Sequence, residues 1–81
     1  MAVDRKFLEH HLAEAERHIA DSERLIARQR KFVAELERDG HDTARAGNLL
    51  TQFEELLAAH VSDRDRLRSQ LRDFRSEQLE N

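Results

Sequence analysis

Mostly apolar side chains recur along this chain in alternating steps of four and three residues, and the alternation breaks only once. In the first half it runs through Leu8, Leu12, Ala15, Ile19, Ser22, Ile26, Gln29, Val33 and Leu36. In the second half it runs through Ala46, Leu50, Phe53, Leu57, His60, Arg64, Leu67, Leu71, Phe74 and Gln78. A seven-residue repeat fits two turns of α-helix and lines its members up as one stripe. A β-strand, whose period is two, cannot do this. In heptad terms Leu12, Ile19, Ile26, Val33, Leu50, Leu57, Arg64, Leu71 and Gln78 take position a. The rest of the seam takes position d. The repeat therefore predicts two long amphipathic helices and an all-α fold.

The break lies at Glu37-Arg38-Asp39-Gly40-His41-Asp42-Thr43. Glycine enters the left-handed conformation that ends helices at little cost, so Gly40 marks a stop. Asp42 or Thr43 can then cap the next helix by accepting a backbone N–H. The chain contains no proline and only two glycines, too little turn punctuation for a β or α/β fold of this length. These signals predict a single domain over residues 1–81, with helices at about 4–38 and 43–78 and a turn at about 39–42. Gly47, inside the second helix, should weaken it by about 1 kcal/mol relative to alanine.

Flanking charges favour folding back over one continuous helix in a swapped dimer. In an antiparallel pair the e positions of one helix face the e positions of the other, and g faces g. Counting outward from the turn sets Glu9 against Arg75, Glu16 against Arg68 and Arg30 against Glu54. All three have opposite sign. Surface pairs of this kind add little energy but help to choose orientation. Two registers of the core layers remain compatible with the pattern, one with Arg64 opposite Ala15 and the other with Arg64 opposite Ser22.

The g side differs. It carries His11, His18, Leu25 and Phe32 from the first helix and Leu49, Leu56, Asp63 and Gln70 from the second. Leu25 and Leu56, and Phe32 and Leu49, lie at matching distances from the turn. A two-helix hairpin has no third layer to cover them, and a contiguous bare apolar patch marks an association surface. Chains this small bury a modest core, and this one cannot add disulfides because it has no cysteine. Pairing two hairpins through the g flank would give a homodimeric four-helix bundle. The expected interface is Leu25, Phe32, Leu49 and Leu56, continued by the polar His18 and His11.

Other functions find little support. The net charge is -3 with acids and bases interspersed, and Trp and Tyr are absent. Neither a basic stripe nor an aromatic stacking platform points to nucleic acid. The Arg64, Arg66, Arg68, Arg72 and Arg75 group is offset by Asp63, Asp65, Asp73 and Glu77, so it reads as a solvated face. No signal-peptide core or membrane-length apolar run occurs, so the expected location is the cytoplasm. Rod-like helices offer no concave pocket for a catalytic constellation, and no enzymatic activity is expected. No cofactor is implied. A metal-binding bundle would need inward ligands from several helices, commonly Glu-x-x-His, which this sequence lacks. His18 and Asp63 share the g flank and are the pair that a dimer might use as ligands. His60 and Arg64 interrupt the seam and read as a polar layer that fixes register.

The stretches Ala15-Glu16-Arg17-His18-Ile19-Ala20, Ala34-Glu35-Leu36-Glu37-Arg38-Asp39-Gly40-His41-Asp42-Thr43-Ala44 and His60-Val61-Ser62-Asp63-Arg64-Asp65-Arg66-Leu67 carry a resemblance. The chain resembles a family of short helical proteins from rhizobia-like alphaproteobacteria, with Asp-Gly-His-Asp-Thr at the turn as its most distinctive part. The resemblance implies a bacterial source and assigns no functional residue. The expected function is thus a small structural or protein-interaction module that self-associates. The alternative is an adaptor hairpin that binds a helix of another protein.

Overall fold

The computed structural model describes residues 4–80, with side-chain surroundings through residue 77, so the seam position at Gln78 lies outside them. Two helices fill the described chain: α1, Arg5–Arg38, and α2, Ala44–Glu80. They pack against each other along their length as an antiparallel hairpin measuring 65 × 19 × 14 Å. The radius of gyration is 18.4 Å, against about 12 Å for a globular chain of this size. The described residues form a rod.

Each helix begins one residue later than the sequence suggests, because Asp4 and Thr43 serve as the flanking cap residues. The Asp4 carboxylate accepts a hydrogen bond from the Phe7 backbone N–H at 2.7 Å. This satisfies one of the orphan donors at the helix start. The Asp42 carboxylate does the same for the Ala44 N–H at 2.9 Å, and the Thr43 carbonyl accepts the Gly47 N–H at 2.7 Å. The two candidate cap residues thus share the work. α2 also continues to Glu80, past the expected end at about residue 78.

The turn closes α1 in the way its glycine suggests. Gly40 has φ +76°. Its N–H donates to the Glu37 carbonyl at 3.2 Å, and the His41 N–H donates to the Leu36 carbonyl at 2.9 Å. These are the paired bonds of a Schellman motif, which needs a left-handed residue at this place. Space is not the constraint, since a Cβ at Gly40 would meet nothing within 4 Å. Gly40→Ala should therefore lower stability by about 1–2 kcal/mol through backbone strain alone. Gly47 is the opposite case. It has helical conformation and open space around an added Cβ. Gly47→Ala should raise stability by about 0.5–1 kcal/mol. Paired thermal melts would show opposite shifts, each of order 4 °C. Shifts of the same sign would contradict the backbone argument.

The core lies along the seam. Leu8 and Ala15 of α1 meet Leu67 and Leu71 of α2 in one buried cluster, with Leu12 and Phe74 packed against it. Ile19, Ile26 and Ala46 are also buried. The seam residues that dilute the apolar stripe are accommodated individually. Ser22 is small enough to be buried where the helices run close. The side-chain amide of Gln29 reaches across the hairpin and donates to the Ala46 carbonyl at 2.9 Å. A bond of this kind contributes about 1 kcal/mol net. Gln29→Ala should destabilise by about that amount, a loss that chemical denaturation would resolve. Arg64 keeps its side chain only 25% exposed and turns its guanidinium to Asp65 at 3.0 Å. A long arginine stem can cover apolar surface while its charged head reaches water.

Two of the three expected charge matches form across the e flank, Arg30 with Glu54 at 3.3 Å and Arg68 with Glu16 at 3.6 Å. The third is displaced: Glu9 pairs with Arg5 on its own helix at 2.7 Å. A neighbour four residues away is held in place by the helix itself, so it outcompetes a partner on the other helix. Asp21 pairs with Arg24 and Asp63 with Arg66, as the three-residue spacing suggests.

Candidate association surface

The e flank is closed by ion pairs, and the g flank is open. Phe32 is 49% exposed, Leu49 41% and Leu56 47%, and Leu25 beside them is half-buried. Their origin is heptad arithmetic. Position g lies one step outside d, so a large apolar residue there touches the seam with one edge and presents the other to water. Large apolar side chains left exposed together near the turn are the kind of feature that marks an association surface.

Phe7 lies off the heptad seam, and the structure leaves it in the open. It is 52% exposed, the largest fraction among the exposed large apolar residues. Phe7 occupies position c, four residues before His11 at position g, so the two share one side of α1. The Phe7 and His11 rings lie 4.3 Å apart, tilted at 57°. An open groove of about 360 Å³ runs beside Phe7 between Leu8, Gln70 and Phe74. A second of about 410 Å³ runs between Phe7, His11, Asp63 and Leu67. The signal that could have found this residue was the c position, the strip adjoining g on the outer side.

Between these two apolar ends lies a polar stretch. His18 is exposed, and His60 on α2 is half-buried. Their rings stack with centroids 5.0 Å apart and planes 17° from parallel. The sequence paired His18 with Asp63 by distance from the turn. The structure instead stacks His18 on His60 and gives Asp63 to Arg66. Among the described residues no group of three or more His, Asp or Glu side chains is placed to hold a metal ion. His10, on the outer face, contacts Glu14 at 2.5 Å.

The g flank is therefore a strip in three parts: an apolar block at the turn end, a histidine layer in the middle, and Phe7 with its grooves at the open end. No described helix is long and apolar enough to cross a membrane. Comparison with protein-family models, curated proteins and solved structures finds no match for the chain.

Proposed function

We propose that this chain is a small structural or protein-interaction module of a bacterial cytoplasm, which pairs with a second copy of itself through the g flank. The paired form is a homodimeric four-helix bundle with Leu25, Phe32, Leu49 and Leu56 in its inner layer. The observation that carries the reading is the exposure of three large apolar side chains, Phe32, Leu49 and Leu56, on the g flank near the turn. Burial of apolar surface is worth about 25 cal/mol per Å², and a lone two-helix rod has little other burial to rely on. None of the largest side chains in the described hairpin is fully buried. A second layer would supply what the single hairpin lacks.

Light scattering after size exclusion tests this at micromolar concentration. The expected mass is twice the 9.5 kDa of one chain. Thermal melting should move upward with concentration, because association stabilises the folded form by mass action. A single-chain mass together with concentration-independent melting would remove the proposal.

A further inference from the structure

We infer that the two hairpins pair with their turns at the same end, related by a two-fold axis along the rod, and that Glu35 and Arg45 form ion pairs between subunits. This rests on the self-association proposed above and specifies its geometry.

The first support is the order of the strip. An isologous interface sets the same surface on both partners. With the turns together, α1 of one protomer faces α2 of its partner, antiparallel and at equal distances from the turns. Phe32 then meets the partner's Leu49, and Leu25 meets the partner's Leu56. The histidine layer of His18 and His60 meets its own counterpart. With the turns at opposite ends and the rods fully overlapped, α1 would instead face the partner's α1, the apolar block would meet the open end at Phe7 and His11, and Asp21 would lie beside the partner's Asp21. Like charges set against each other across an interface disfavour that arrangement.

The second support is charge. Position c forms the outer margin of the strip on each helix. In the same-end arrangement Glu35 lies beside the partner's Arg45, and Glu14 lies beside the partner's Arg66. Both matches have opposite sign, and the two-fold axis makes each occur twice. Asp21 lies beside the partner's Ala59, and Arg28 lies beside the partner's Gln52, so no like charges meet. Arg66 and Glu14 already contact Asp63 and His10 on their own helices. The Glu35 match is therefore the more diagnostic of the two.

The third support is area. A reversed and shifted pairing could bring the two apolar blocks together while leaving both open ends free. It would leave the greater part of both rods uncovered, whereas a stable interface needs about 1,000 Å² or more. It would also set Asp21 against the partner's Glu35. Only pairing along the full 65 Å rod combines the apolar block with enough further contact.

The test uses the absence of cysteine, which allows one spin label to be placed at the exposed turn through His41→Cys. Same-end pairing should give a label separation of about 30 Å or less, set by neighbouring helices about 10 Å apart. Either reversed arrangement should give more than about 30 Å, set by the rise along the helices. Charge exchange supplies a second readout. Glu35→Arg and Arg45→Glu should each weaken dimerisation about three- to tenfold, and the double variant should recover to within about twofold of the parent. A dimer with the long separation, or a double variant weaker than either single one, would overturn the geometry while leaving self-association standing. A monomer by light scattering would overturn both.

Discussion

Leu56→Glu should convert the dimer to a monomer at micromolar concentration while leaving the single hairpin's packing almost untouched. Leu56 is 47% exposed in the isolated chain. Exposed substitutions away from special features usually change stability by less than about 0.5 kcal/mol. In the proposed dimer the same residue faces the partner's Leu25, and the two-fold axis presents two copies. Each would become a buried carboxylate without a partner. A combined cost of about 4 kcal/mol corresponds to a thousandfold rise in the dissociation constant. Analytical ultracentrifugation across a concentration series reads that shift directly. Circular dichroism of the same samples separates loss of pairing from loss of helix. If Leu56→Glu kept the parent's mass and melting curve, the g flank would not be the interface.

Leu71→Ala should produce the largest loss of hairpin stability of any single truncation in α2. Leu71 is 6% exposed and sits in the cluster with Leu8, Ala15 and Leu67. Leucine-to-alanine changes in packed cores cost about 2–5 kcal/mol, the upper values arising where neighbours cannot collapse into the space. Here the helices can slide or tilt on each other, so about 2–3 kcal/mol is expected. Small domains have limited total stability, and that loss is a large share of it. Urea denaturation followed by circular dichroism would show a lower midpoint with an almost unchanged slope. Leu49→Ala is the matched control. It removes the same atoms from a residue 41% exposed in the single chain. Under dilute, monomeric conditions it should cost well under 1 kcal/mol. Equal losses for the two variants would mean that the cluster at Leu71 is not the centre of the hairpin's packing.

Much of the architecture was legible because helices and turns are specified locally. The four-three alternation names the buried stripe, and Leu8, Ala15, Ile19, Ile26, Leu67 and Leu71 are buried as it requires. Gly40 takes the left-handed conformation because few other residues do so cheaply. The exposed residues Phe32, Leu49 and Leu56 were also legible, since position g on a two-helix rod has nothing outside it.

The charge pairs were less legible for a physical reason. A long flexible side chain at the surface chooses among several partners that differ by tenths of a kcal/mol. Glu9 matched Arg75 by position but pairs with Arg5. Arg68, which could have met Asp65 on its own helix, reaches across to Glu16 instead. The His18 and His60 stack was hidden for a related reason. Distance from the turn orders residues along the rod, whereas ring contact depends on how the helices rotate about their own axes.

The sequence by itself determined two helices, the place where they part, and which stripe of each is buried, because those features depend on spacing within one segment. The tertiary structure decided the contacts between segments. It led Gln29 to the Ala46 carbonyl, buried Ser22 in the seam, stacked His18 on His60, and left Phe7 exposed beside open grooves. Those outcomes depend on the offset and rotation of one rod against the other, which many weak contacts set together.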